Sequence, residues 1–415
     1  MKKQFFISNS LSVALGSMQR ILFSTLLGLV IGSAMVHAAE LDLPKDSRVV
    51  LLGNGLGSRM LRNGHFETEL HRRYPDHHLV IRNLCDEGDT PAFRPNAGRT
   101  SPWAFPGGER FFPLVESKDR WGGNSGDGNF PEPDAWLKQM KPDIIIAFFG
   151  FNESFDGPAG LANFKAELEA FVEHTLKQKY NDQNVPKLAL VSPAAFQDVS
   201  ALYGTPKGTT QNANLALYTK AMEDVAAAHQ LTFVNLFAST SAWFAPGNKP
   251  LTRDGALFTD DGYAKLAPLL IDQLFGVRKP VSKANVAEVK KAVDDFAWMW
   301  LSYYKIPNGV HVYGRRNKPY GPENYPSELR KLEQMVNIRE QAIWASVEGR
   351  KFDVAAADAK TEVLPVIGTV DPKVHYLSGE ESLKTLAVPP GYKIELFADE
   401  KMFPDLANPV QLSFD

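Results

Sequence analysis

The chain has one cysteine in 415 residues, Cys85. That excludes an intramolecular disulfide, a cysteine-ligated zinc or iron–sulfur site, and covalent c-type haem, whose attachment needs a CxxCH pair. Cys85 reads as a small core hydrophobe. Histidine is sparse too: nine residues, His77-His78 the one adjacent pair, and no HxxxH or HExxH spacing, so no histidine-rich metal site is expected. Charge of one sign is lacking. Forty-five Lys+Arg against 48 Asp+Glu leave −3, which gives no electrostatic footprint for nucleic acid. Internal repeats are absent, and no cofactor is expected. With 44% hydrophobic and 22% charged residues the composition is ordinary for a globular protein, which excludes disorder, collagen and coiled coil.

The first forty residues stand apart. Lys2, Lys3 and Arg20 precede the apolar run Ile21–Met35, and Val36-His37-Ala38 offers small or short side chains at −3 and −1. The run falls short of the ~20 residues of a membrane span. The pattern is that of a signal peptide, residues 1–38, cleaved after Ala38. The expected mature chain is exported to a periplasm or cell surface, with no membrane span; an uncleaved anchor is the alternative.

From about 47 to 276, short apolar strands alternate with helical patterns. The strands are Val49–Leu52, His78–Ile81, Asp143–Phe149, Lys187–Val191 and Thr232–Leu236. The helices are Leu56–Tyr74, Asp134–Met140, Leu161–Lys179, Asn212–His229 and Asp261–Phe275. Strands apolar on both faces and separated by helices predict a parallel sheet covered on both sides, with a ligand site at the strands' C-terminal ends. Residues 95–133 break the rhythm with Gly, Pro, Asn and the aromatics Trp103, Phe105, Phe111, Phe112 and Trp121. So long an insert reads as a lid or binding loop. Its aromatics either stack on sugars or staple the loop to the domain.

Residues 281–350 read as a helical extension, Ala284–Lys305 then Pro326–Glu348. Its aromatics Phe296, Trp298, Trp300, Tyr303 and Tyr304 are expected to contact the main domain. A weakly patterned linker, 351–388, follows. The end, 389–398, alternates like a strand.

Four blocks in order carry a resemblance. They are Val49-Val-Leu-Leu-Gly-Asn-Gly-Leu56, Asn83-Leu-Cys-Asp-Glu-Gly-Asp89, Pro142-Asp-Ile-Ile-Ile-Ala-Phe-Phe-Gly-Phe-Asn-Glu153 and Leu251-Thr-Arg-Asp-Gly-Ala-Leu-Phe-Thr-Asp-Asp-Gly-Tyr263. Together they resemble the SGNH (GDSL-type) hydrolase superfamily over about 230 residues. The resemblance implies an α/β, three-layer, flavodoxin-like fold with a five-stranded parallel sheet, here with the helical C-terminal extension. It also implies ester hydrolysis, often deacylation of carbohydrates.

Residue by residue, the resemblance puts Gly55 at the nucleophilic serine and Leu257 at the catalytic histidine, three residues after the retained acid Asp254. Glycine has no side chain to acylate and leucine moves no proton, so two of three triad roles are missing. Gly55, Gly88 and Asn152 match the oxyanion donors, which bind an oxygen whether or not chemistry follows. Glu153 replaces the usual Asp. Ser58, one turn further on, is the candidate substitute nucleophile, against its reading as an ordinary helix residue. Ser154 reads as a helix cap and His65 as a solvated face residue.

The chain also resembles the front of planctomycete-type exported proteins in which an SGNH-like domain precedes a haem-binding β-propeller. Residues 389–415 resemble the start of that propeller. Three functions stay open: a degenerate domain binding an acylated or carboxylated carbohydrate, an active esterase with a relocated nucleophile, and a scaffold docking a haem-binding propeller partner.

Overall fold

The structure is a computed structural model that describes residues 40–96, 99, 101–111, 130–245, 247–307, 309–313, 321–364 and 377–404. The leader pattern 1–38 lies outside them. One compact unit ends at Glu362 and a second spans Val363–Asp415.

Five strands form the first unit's sheet: β1 (Arg48–Gly53), β2 (Val80–Asn83), β3 (Ile144–Phe148), β4 (Lys187–Val191) and β5 (Thr232–Val234). All neighbours are parallel and the order is β2-β1-β3-β4-β5. The period of two sorts each strand's apolar residues onto two faces. Val50, Leu52, Ile145 and Leu190 enter one core; Val49, Leu51, Ile146 and Val191 enter the other. This is the α/β, all-parallel five-stranded sheet that the apolar-on-both-faces strands predicted.

The covering helices are α1 (Gly55–Ser58), α2 (His65–Arg73), α3 (Pro133–Met140), α4 (Gly157–Thr175), α5 (Thr209–Ala228) and α6 (Asp260–Phe275). Helices α4 and α5 cover one face through Phe164, Phe171 and Met222; α2 and α6 cover the other through Phe66, Leu70, Leu266 and Leu270. The single helix expected over 56–74 is interrupted at Gly64, whose φ of 50° ends one turn and starts the next. The second strand begins at Val80 rather than His78, because His78 sits at φ 47°, outside strand geometry.

The helical extension consists of α7 (Val286–Tyr304) and α8 (Gly321–Val347). It covers the free edge of the sheet. The indole N–H of Trp300 donates to Asn83 O (2.8 Å), that of Trp344 to Leu79 O (3.0 Å), and Tyr304 OH to Leu84 O (3.2 Å). Arg82, buried on the edge strand, donates twice to Glu340 (2.7 and 3.2 Å) and lies 5.3 Å from the ring centres of both Phe296 and Trp300. An edge strand left bare offers unpaired carbonyls; here three side chains of the extension take those at its last residue and just beyond its two ends. Phe296, Trp300, Tyr303 and Tyr304 are buried as expected, but Trp298 is 70% exposed. Its sequence neighbours Ala297 and Met299 are buried on the two flanks of the stripe, and Trp298, two residues from Phe296 and from Trp300, points to the opposite side of a 3.6-residue helix.

In the second unit a helix over Gly379–Thr385 opens with a reciprocal capping box between Ser378 and Glu381. Residues 389–398 form no strand; a ladder needs a neighbour, and the described residues of this unit supply none. The propeller-like stretch beyond 404 lies outside the described residues.

Candidate functional site

In a sheet of this order the chain leaves β1 to one side and β3 to the other. The crevice at their C-terminal ends is where such sheets bind ligands. Backbone sterics shape its floor. Gly53 ends β1 at φ 115°, and a Cβ there would sit 2.0 Å from Phe148 O, so only glycine lets β1 and β3 approach this closely. Asn54 then caps α1, its Oδ1 accepting Leu56 N–H at 3.4 Å. Gly55 is the first residue of α1.

A cavity of about 200 Å³ lies at this point, with Gly55, Asn152 and Leu257 in its wall. Phe148, Phe149, Phe151, Val191 and Pro193 make the rest of it largely apolar. Gly88 lines a second cavity, which shares Glu87 and Asn152 with the first. Asp254 lines neither. Its Oδ1 accepts the N–H groups of Ala256 (2.9 Å) and Leu257 (2.8 Å), so it shapes the turn that carries Leu257. Gln197, buried after β4, anchors that loop by accepting from Leu251 N, Thr252 N and Thr252 Oγ1.

The Asn152 amide donates both hydrogens to the backbone, to Glu87 O (3.0 Å) and Asp89 O (2.9 Å). It holds the turn bearing Gly88. The backbone N–H groups of Gly55 and Gly88 make no hydrogen bond to another described residue. Asn54 is 2% exposed and its Nδ2 has no partner. Among the described residues, the first cavity is thus lined by two residues with an unused donor, Gly55 N–H and Asn54 Nδ2, and the second by Gly88 with its N–H.

Ser58 ends α1 and lines neither cavity. Ser154 donates to Phe151 O at 2.7 Å. His65 pairs with Asp260 at 2.8 Å, away from both cavities. Of the insert, Phe105 and Phe130 are buried in the core, Arg99 lies 5.1 Å from the Phe130 ring centre, and Phe111 lines the second cavity. Phe112 and Trp121 lie outside the described residues, as does most of the segment expected to form a lid.

Sequence reasoning passed over four residues at the site. Glu87 lines both cavities, and its Cγ lies 3.8 Å from where a Cβ on Gly55 would stand. Its carboxylate pairs with Arg59 at 3.1 Å. Asn54 is the orphan donor. Ser192, fully buried, accepts Phe237 N–H at 3.2 Å. Tyr263 donates to Leu56 O at 3.0 Å and ties α6 to α1. Glu87, Asn54 and Tyr263 sat inside the quoted blocks; Ser192 had no sequence signal.

Neither a family model nor a curated protein sequence matches the chain. Solved structures do. An alpha/beta hydrolase enzyme from the metagenome of Lake Arreo, Spain, is 13% identical over 56% of this chain and 97% of its own, at a TM-score of 0.38. An acetylxylan esterase from Geobacillus stearothermophilus is 14% identical over 56% and 96%, at 0.36. A protein from Parabacteroides merdae described as a GDSL-like lipase is 13% identical over 57% and 99%, at 0.36.

Proposed function

We propose that this chain is an SGNH-like domain that binds, without hydrolysing, the acyl or carboxyl end of a carbohydrate derivative in the crevice between β1 and β3. One observation carries the reading: Gly55 and Leu257, at the nucleophile and base positions of the resemblance, line the same cavity. At those two positions glycine offers no nucleophile and leucine moves no proton. The N–H of Gly55 and the orphan Nδ2 of Asn54 suit a carbonyl or carboxylate oxygen, and the apolar wall suits a short acyl group. On this reading the leader pattern supports export of the domain, and residues 389–415 would join it to a haem-binding propeller.

Acetylated glycans and short p-nitrophenyl esters test this, followed by hydrolysis and by calorimetry. The expected result is binding without turnover, and loss of binding in Leu257→Trp, which fills the cavity. Turnover by the unaltered chain that disappears in Ser58→Ala would overturn the reading in favour of a relocated nucleophile.

A further inference from the structure

The second cavity, about 590 Å³, has chemistry opposite to that of the first. One face of α4 and the residue before it line it: Asp156, Phe164 and Glu167 at helical spacing. Glu153 enters from the turn before α4 and Glu87 from the loop after β2. Phe111 and Phe164 supply aromatic faces. Among the described residues, no Lys, Arg or His lines it.

Four carboxyl groups therefore line one space; among the described residues Glu87 pairs with Arg59, and Glu153, Asp156 and Glu167 form no ion pair. Glu167 Oε1 accepts Thr90 Oγ1 (2.5 Å) and Ala92 N (2.8 Å). Glu153 is 8% exposed; its Oε2 accepts Gly150 N at 2.8 Å and its Oε1 has no partner. A buried carboxyl oxygen left unsatisfied costs stability unless something donates to it. Carboxylates accept hydrogen bonds and attract cations, and so do aromatic faces.

We propose that this cavity binds a protonated primary amine, its nitrogen among Glu153, Asp156 and Glu167 and its carbon skeleton against Phe111 and Phe164. The proposal goes beyond the reading of the smaller cavity and does not need it. Burial, with Glu167 adding to it, pushes the Glu153 carboxyl up to about 8, so in the empty cavity it carries a proton at neutral pH. Among the described residues the charged groups acting on Glu153 are the acidic Glu167 and Asp156; the Tyr218 hydroxyl beside it is neutral and donates to Gly157 O, and the Arg110 guanidinium lies over the Phe111 ring, 4.5 Å from its centre. An arriving ammonium takes the place of that proton. Binding at pH 7 then releases up to one proton from Glu153, and at pH 9 this release vanishes.

Calorimetry on the full chain tests the proposal, at pH 7 in two buffers of different ionisation enthalpy. The probes are 1,5-diaminopentane for an alkylamine and D-glucosamine for an amino sugar, against 1,5-pentanediol and D-glucose as neutral matches. At least one amine is expected to bind about tenfold or more tighter than its neutral match, with proton release. Which amine binds separates the two sources. Glu153→Gln keeps an oxygen for Gly150 N–H while removing the ionisable group. It should weaken amine binding about tenfold and abolish the release. Should that variant not fold, Asp156→Asn on the exposed rim is expected to weaken binding in the same direction. Leu257→Trp, which fills the first cavity, should leave amine binding unchanged. Equal binding of the neutral matches, undiminished binding in the folded Glu153→Gln or Asp156→Asn variant, loss in Leu257→Trp, or no amine binding at all would each overturn the proposal.

Discussion

The sharpest consequence of the proposed function is that hydrolysis should be recoverable with two substitutions, Gly55→Ser and Leu257→His. Space and backbone both permit the first. Gly55 has no positive φ, and the nearest atom to an added Cβ is Glu87 Cγ at 3.8 Å, an ordinary contact. Two residues earlier, Gly53 shows the opposite case, φ 115° with backbone oxygen 2.0 Å away. Replacing glycine in a helical first turn also removes unfolded-state entropy, worth ~0.4–1 kcal/mol of stabilisation. Leu257 is half-buried on the same cavity. Its loss costs about 1 kcal/mol, inside the usual range for a partly buried side chain. Asp254 has Oδ1 on the Ala256 and Leu257 N–H groups, which leaves Oδ2 for a histidine N–H. The rebuilt site would lack one oxyanion donor, because both Asn152 hydrogens are on backbone carbonyls. A missing donor costs ~10²–10³ in kcat. The expected outcome is slow but measurable hydrolysis of p-nitrophenyl acetate, rising with pH through the histidine range near ~6.5. Gly55→Ala with Leu257→His, which has a base but no hydroxyl, should stay at background. Labelling of the serine variant by a fluorophosphonate reports the nucleophile directly. A folded double variant that is unlabelled and no faster than the alanine control would refute the reasoning and show that the crevice no longer aligns an ester.

Two further outcomes follow from the packing. Glu340→Ala should destabilise the first unit by ~3–5 kcal/mol, because it strands the buried Arg82 charge on the edge strand; thermal unfolding measures this, and a loss under 1 kcal/mol would mean that solvent reaches Arg82. Glu153 supplies a pH dependence of known sign. Its carboxyl lies near 8 in the folded chain against an ordinary 4.5, so the folded state holds the extra proton. Its contribution is fully present below pH ~4.5 and falls by ~1.4 kcal/mol per unit at most as pH rises towards 8. Glu153→Gln should flatten the fall in denaturation midpoint between pH 5 and 8; an unchanged slope in that variant would assign the dependence to other groups.

How far the sequence reaches is visible strand by strand. Val49–Leu52, Ile144–Phe148 and Lys187–Val191 are apolar at every position that a two-faced sheet buries, so strand, parallel pairing and helical cover follow from the pattern alone. The switch-point crevice follows from the motif order on those strands. The motif order also puts Gly55 at the end of the first strand and Leu257 on a loop at the same edge; that they line one cavity is seen in the folded chain. Other features depend on what lies across the gap, and no local spacing encodes that. Asn152 reads as a free donor until the carbonyls of Glu87 and Asp89 are seen to take both hydrogens. That Asp254 Oδ1 also shapes the turn carrying Leu257, by accepting the Ala256 and Leu257 N–H groups, is seen only in the folded chain. Arg82 looks like a charge misplaced in an apolar strand until Glu340, 258 residues later, and the Phe296 and Trp300 rings enclose it. The acidic cavity gathers Glu87, Glu153, Asp156 and Glu167 from three separate segments, a juxtaposition that no local spacing encodes. Local period and steric demand determine the elements; only their packing decides which polar atoms are already paired and which still wait for a ligand.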